Sequence, residues 1–316
     1  VSSRYPIYVI SKGRADCCLT AKFLLRDRVP FALVVEPQEV AAYAQHLPGA
    51  VLLELPFSNL GLGSTPARNY CWEHAIENGY RRHWILDDNI GQIRRLYGGK
   101  RIPCSSGPAF AATEDFVDRY DNVAIGGLNY QMFVTPTSPP YRTNVHVYST
   151  LLIDNAIPHR WRRQYNEDTD LCLQVLADGL ATVLVNLFMI DKKTTMTMKG
   201  GNSDALYQGD GRLKMARSLE QAWPGIVRVD YRYGRPQHVV DWGKFKTPLR
   251  LRSDVDLAAL PRVDEYGLTL VEKTPVRSRQ LRELLERYRA NGLDSPSGAA
   301  SSPSRGRTPR KIGGTR

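Results

Sequence analysis

The sequence predicts an α/β fold in which parallel strands are joined by helical, right-handed crossovers. Two observations carry that expectation. Strand and helix signals alternate through the first 90 residues, and an apolar run at 82–89, RHWILDDN, leads straight into paired carboxylates. A third observation permits it: of 316 residues, 42% are hydrophobic and 24% charged, the mix of an ordinary globular chain able to bury a core.

In order along the chain, YPIYVI (5–10) is a short β-rich run closed by the polar turn SKGR (11–14), and a helical stretch continues to about Arg28. FALVVE (31–36) reads as a strand, and EPQEVAAYAQHL (36–47) as a helix with Pro37 in its first turn. AVLLEL (50–55) is a third strand. In TPARNYCWEHAIENG (65–79), Thr65 is the candidate N-cap, Pro66 the first helical residue and Gly79 the stop. Further on, NVAIGGLNYQMFV (122–134) and TNVHVYSTLLID (143–154) read as strands divided by the Pro-rich turn TPTSPPY. NEDTDLCLQVLADG (166–179) is a helix with acids in its first turn, where the helix dipole favours them, and ATVLVNLFMI (181–190) is the following strand.

The C-terminal part changes character. TPVRSRQLRELLERYRANG (274–292) places Leu281, Leu284, Leu285 and Tyr288 on one helical face and arginines on much of the rest. It is either a helix docked on the core with a basic outer face or one lying along a phosphate backbone. Residues 293–316, rich in Ser, Pro, Gly and Arg, are expected to be disordered. Trp223, Tyr231, Tyr233 and Trp242, with nearby Arg and Lys, mark 220–250 either as a nucleic-acid surface or as the close of the fold.

Composition excludes some classes. The longest mostly apolar run, Ala181 to Ile190, is half the length needed to cross a bilayer as a helix. Residues 1–10 lack the charged start and long apolar stretch of a secretory signal. The five cysteines (Cys17, Cys18, Cys71, Cys104 and Cys172) include no C-x-x-C pair, which points to reduced thiols and a cytoplasmic location. The net charge is +11. Residues 291–316 carry five basic residues against one acidic, so the remaining 290 keep +7 and the folded part is basic in its own right. That surplus fits an anionic partner such as nucleic acid.

Two acidic segments carry the chemistry. Asp87, Asp88 and Asn89 stand at the carboxyl end of a strand, where open α/β sheets bind ligands. Two carboxylates and an amide oxygen suit Mg²⁺ or Mn²⁺, though Asp and Asn also open turns. In Asn166-Glu167-Asp168-Thr169-Asp170 the acids serve either as caps or, facing a cleft, as a general base. Just before them, His159-Arg160-Trp161-Arg162-Arg163-Gln164-Tyr165 interleaves three arginines with two aromatics, a composition suited to a phosphate backbone and an unstacked base. Structurally, Trp161 and Tyr165 would equally pack beneath the acidic helix.

The order of these pieces over roughly residues 5–200 resembles the nucleotide-sugar glycosyltransferases of the GT-A fold, particularly the family-2-like group. Within it, WILDDNI (84–90), the GGLNYQMFV strand, the NEDTDLCLQVLADG helix and KGGN (199–202) resemble the bacteriophage-encoded TET-associated glycosyltransferases, which act on 5-hydroxymethylcytosine in DNA. The resemblance implies a GT-A-type (Rossmann-like) mixed, mainly parallel sheet flanked by helices. Residues 1–250 would be the transferase domain, with a nucleotide-sugar half to about residue 100 and an acceptor half beyond; 251–292 would be an extension and 293–316 a tail.

It also implies roles. Ser11, Lys12, Arg14 and Glu36 would line the nucleotide pocket, and Arg68, Asp87 and Lys199 would meet the ribose, sugar or diphosphate. Asp87, Asp88 and Asn89 would hold Mn²⁺ or Mg²⁺, with Asn89 standing where the family has a second Asp of its D-x-D. Asp168 would be the catalytic base of an inverting transfer. Asn129, Tyr130, Arg160, Trp161, Arg162, Arg163, Tyr165 and Glu167 would form the acceptor side, with Tyr141 a weaker candidate and His146 a packed strand histidine. The implied partners are a nucleoside-diphosphate sugar, UDP-linked by family habit, and hydroxymethylated DNA, in the cytoplasm of an infected host. A polysaccharide, lipid or protein acceptor, and an inactive transferase fold that binds nucleic acid, are the competing readings.

Overall fold

A computed structural model describes residues 2–193, 211–232, 234–270 and 286. Two compact units divide the chain, Val1–Ala259 and Leu260–Arg316. The first contains a ten-stranded mixed sheet. Its parallel part is built from β1 (Ile7–Ile10), β2 (Ala32–Val35), β3 (Val51–Glu54) and β4 (Arg82–Asp87), in the spatial order β3-β2-β1-β4. The intervening helices are α1 (Leu19–Arg26), α2 (Val40–His46) and α3 (Thr65–Glu77), so the strand–helix rhythm of the first 90 residues is present as expected.

The sheet then extends through β9 (Thr150–Asp154), β7 (Val123–Tyr130), β10 (Ala181–Lys192), β5 (Ile90–Tyr97) and β6 (Lys100–Pro103), with β8 (Tyr141–Thr143) on β10. Of these pairings only β7–β10 is parallel. Helix α4 (Ser106–Val117) and helix α5 (Glu167–Ala177) complete the layers. Successive strand residues face opposite sides of a sheet, and β4 shows what that does. Ile85 joins Cys71 and Trp72 of α3 and Leu171 and Cys172 of α5 in one core, while Trp84 meets Phe110 of α4 edge-on at 4.9 Å.

The expected strand 143–154 is divided. Asn144 (φ 56°) and Ser149 (φ 62°) adopt left-handed backbone that a strand cannot carry, so 144–149 is irregular and His146 lies outside any strand. At α3 the cap is Ser64, one residue before the expected Thr65; the Thr65 hydroxyl instead donates to the Arg163 carbonyl at 2.5 Å. Gly79 (φ 74°) ends the turn after that helix as expected. Beyond β10, α6 (Gly211–Ala222) packs on a hairpin of β11 (Val227–Arg232) and β12 (Arg235–Val240). The aromatic residues Trp223 and Trp242 pack with that small core, which favours the close of the fold for 220–250; Tyr233 is outside the described residues. So are Lys199, the KGGN segment, the tail and all of 274–292 except Glu286. No described helix is long and apolar enough to cross a membrane.

Candidate active site

β4 delivers Asp87, and the turn after it delivers Asp88 and Asn89. The two carboxylates have separate partners. Asp88, 5% exposed, accepts from the Ser11 hydroxyl at 2.8 Å and from Arg14 Nη1 at 2.5 Å. Ser11 also bonds the Tyr43 hydroxyl of α2 at 2.6 Å, and that hydroxyl accepts from the Arg14 amide at 3.1 Å. Burial pushes the Asp88 carboxyl up, against the pull of Arg14. Beside this group Lys12 Nζ donates to Glu36 at 2.7 Å and to Asn59 at 2.9 Å. The ends of β1 and β2 therefore bring Ser11 and Arg14 onto Asp88 and, next to them in the chain, Lys12 onto Glu36.

Asp87 belongs to a second cluster. Its Oδ1 is 3.1 Å from Arg68 Nη2, and its Oδ2 is 2.6 Å from Lys192 Nζ at the end of β10. The same ammonium donates to Ser149 Oγ at 2.5 Å and lies 3.4 Å from the Tyr130 hydroxyl, which bonds Ser149 Oγ at 2.6 Å. Burial alone would raise Asp87; Lys192 and Arg68 outweigh it and hold the carboxyl well below the usual range. Burial likewise works against the charge on Lys192, and Asp87 more than restores it.

Asp168, in the first turn of α5, completes the arrangement. Its Oδ2 accepts from the Ser149 amide at 3.2 Å. Its Oδ1 is 3.1 Å from Arg68 Nη1, yet neither atom makes an aligned hydrogen bond, so the contact is one of charge only. Glu167 accepts from Ser64 at 2.9 Å and lies 3.7 Å from Arg68. Arg68, 4% exposed, thus touches three carboxylates while resting 4.6 Å from the Trp161 ring centre. Desolvation pushes Asp168 up to about 7; Glu167 and Asp87 add to this, and Arg68 only partly offsets it. Two nearby carboxylates are therefore driven in opposite directions, the pattern that separates a fixed anion from a proton acceptor.

The expected acceptor residues are placed differently. Arg160 donates to Glu73 at 2.7 Å and crosses Trp72. Arg162 grips Asp170 at 2.8 and 3.2 Å, and Arg163 donates to the Ser218 carbonyl at 2.7 Å. Trp161 is 2% exposed, beneath Arg68. The three arginines do not form one open row, because residues adjacent in an irregular segment point apart and each guanidinium has an acidic or carbonyl partner within the fold. Asn129 bonds Asn186 at 2.9 Å, Tyr141 packs on Phe116, and Tyr165 is half-buried. Tyr130 stands in the Asp87–Lys192 cluster.

A cavity of about 490 Å³ opens against α6 and the β11–β12 hairpin. Its wall includes Tyr148, whose hydroxyl bonds Thr169 at 3.0 Å, and Asn166, two residues before Asp168. His146 stacks on Tyr148 at 4.2 Å, and Trp242, Arg212 and Arg232 line other sides. Burial lowers His146 to about 4, so it is a neutral wall. Lys192, Ser149 and Tyr148 had no signal in the sequence beyond a lysine pair closing an apolar strand.

The expected metal ligands do not form a joint set. Asp87 and Asp88 face different partners, all four of their oxygens meet a cation or hydroxyl, and Asn89 contributes a buried Oδ1 with no donor. Among the described residues no group of three or more His, Cys, Asp or Glu is gathered to hold a metal.

Residues 5–201 match the TET-associated glycosyltransferase family. Among solved structures, a protein described as a nucleotide-diphospho-sugar transferase from Desulfovibrio desulfuricans G20 is similar at 10% identity, covering 58% of this chain and 80% of its own, with a TM-score of 0.33. Glucosyl-3-phosphoglycerate synthase from Mycobacterium tuberculosis, solved with Mg²⁺ and uridine diphosphate, is similar at 10% identity, covering 75% and 87%, with a TM-score of 0.39. Among curated proteins none matches in sequence.

Proposed function

The chain belongs to the TET-associated glycosyltransferase family, and from that premise we propose that it transfers a sugar from a nucleoside diphosphate to the hydroxymethyl group of 5-hydroxymethylcytosine in DNA. The observation that carries the mechanism is Asp168, a carboxylate raised to about 7, with an Oδ1 that no donor bonds, two residues along α5 from Asn166 in the wall of a cavity of nucleoside size. A primary alcohol does not ionise near neutral pH. Asp168 takes its proton as the oxygen attacks the anomeric carbon, assistance that is worth on the order of 10²–10⁴-fold. One displacement inverts that carbon. An α-linked donor thus yields a β-linked product.

On the donor side, Ser11, Lys12, Arg14, Glu36 and Asp88 bind the nucleoside, and Arg68 meets the diphosphate. On the acceptor side, the His146–Tyr148 stack and Trp242 flank a base turned out of the helix, while Arg212 and Arg232 meet its phosphates. This assignment moves the base away from Trp161, which is buried.

The test is mass spectrometry of nucleosides digested from hydroxymethylated DNA after incubation with the protein and a panel of nucleotide sugars. A hexose or N-acetylhexosamine mass on the hydroxymethylated nucleoside is the expected result. Donor hydrolysis with no modified nucleoside would keep the transferase and discard the DNA acceptor.

A further inference from the structure

Lys192 performs a task that the residues expected to bind a metal are not arranged to perform. We propose that its ammonium, together with Arg68, stabilises the departing nucleoside diphosphate, so that transfer requires no divalent cation. The inference rests on the donor reading above and adds the source of positive charge.

Four observations carry it. Lys192 Nζ is held by oxygens from three elements: Asp87 at 2.6 Å, Ser149 at 2.5 Å and Tyr130 at 3.4 Å. Its side chain is only 10% exposed, so the charge is fixed in place. The other face of Asp87 is taken by Arg68 at 3.1 Å, so a metal at this carboxylate would have to share it with two cations that repel it. Asp88 is turned away to Arg14 and Ser11, so its carboxylate does not join Asp87 on one ion, and position 89 supplies only a neutral amide.

The ammonium has three N–H donors. Two are committed at short distance, while the third has only the long contact with Tyr130 and is the one to meet a phosphoryl oxygen. In the transfer, the bond between the anomeric carbon and the β-phosphate oxygen breaks, and its electron pair stays on that oxygen. The acceptor oxygen bonds to the same carbon, and its proton goes to Asp168. One unit of charge thus moves onto the diphosphate, next to a desolvated cation that needs no reorganisation to receive it. Lys192 is in this scheme a catalytic residue, Asp87 and Ser149 its positioning residues.

The experiment compares the full-length protein in EDTA with the protein in Mg²⁺ or Mn²⁺. Initial transfer rates and uridine diphosphate affinity by calorimetry are measured for wild type, Lys192→Met and Lys192→Arg, each checked for an unchanged melting temperature. The expected results are wild-type rate and affinity in EDTA within about twofold of those with metal, a loss of about 100-fold in rate for Lys192→Met, and partial recovery in Lys192→Arg. Loss of wild-type transfer in EDTA with recovery on adding Mn²⁺ or Mg²⁺ would overturn the proposal. So would nucleotide binding tightened about tenfold or more by metal, even if a variant failed to fold. The donor reading would survive either result. Absence of nucleotide binding under every condition, tested also with guanosine, cytidine and adenosine diphosphates, would remove both readings.

Discussion

Asp87 and Asp168 show how two identical side chains, both touching Arg68, are given different chemistry. Asp87 has a lysine of its own and stays ionised. Asp168 shares a crowded arginine with two other acids, and the desolvation it suffers outweighs both that arginine and its place at a helix start. As the proposed base it must be unprotonated, so kcat/KM should fall as pH drops through about 7, nearly tenfold per pH unit on the acid side; a profile flat from pH 5 to 8 would remove it. Asp168→Asn should lose transfer by at least about 100-fold while nucleotide affinity, measured by calorimetry, is nearly unchanged. The linkage sign gives an independent check. A carboxyl raised in the folded state contributes stability that is present below its unfolded value, near 4, and is lost as pH rises towards 7. The Asn variant escapes that loss, so its melting temperature relative to wild type should increase between pH 4.5 and 8. Asp168 was singled out in the sequence through the resemblance, as the second residue of the family's E-D pair; acids at a helix start alone left capping equally open. Lys192 was not, because a lysine two residues beyond an apolar run is ordinary and its partners come from positions 87, 130 and 149.

At the scale of elements, the strands and helices of the first 90 residues were legible because propensity, turn residues and apolar period agree there. The β5–β6 hairpin and α4 were not: nine of the twelve α4 residues are buried, so no polar face marks its period. The split of 143–154 depends on two left-handed residues, which β-rich composition hides. For the basic-aromatic segment the packing alternative holds at Trp161, which is buried, while Arg162 is exposed yet held by Asp170. Asp170 is 1% exposed and takes two bonds from Arg162, with Trp223 and Gln174 supplying the others at 2.8 and 2.9 Å. Arg162→Ala should therefore destabilise the fold by about 2 kcal/mol in urea unfolding, an effect a purely DNA-facing arginine would not have. Gly127 in β7 passes so near the Thr150 carbonyl and Val147 that an added Cβ would overlap both. Gly127→Ala should cost about 1–3 kcal/mol, read from the same unfolding curves.

For the molecule as a whole, the basic surplus was the first hint of a polyanionic partner, and the structure changes where that charge is available. Many arginines of the first unit are paired internally, including the three once expected to lie along DNA. Residues 260–316 carry twelve Lys and Arg against six Asp and Glu. Removing them, leaving Val1–Ala259, should weaken DNA binding and flatten its dependence on salt, measured by fluorescence anisotropy between about 50 and 200 mM. An unchanged salt slope would put the phosphate contacts on the first unit alone. The composition of the chain pointed to an anionic partner in general; which cations of the first unit are engaged depends on buried carboxylates whose positions no local pattern reveals.

β10 carries a consequence for the order in which the molecule comes into being. It is bonded along one edge to β7 and along the other to β8 and β5, and Ile190 lies opposite Ile93, nearly a hundred residues earlier. Such pairing closes long loops, and the entropy of doing so sets a slow pace. Lys192 is the last residue of that strand. During synthesis the cluster of Ser11, Arg14 and Asp88 has all its parts while β10 is still unmade, whereas Asp87 has no lysine until the strand inserts. On the proposed reading, the residues that hold the nucleotide are therefore all made before the lysine that would receive the departing charge.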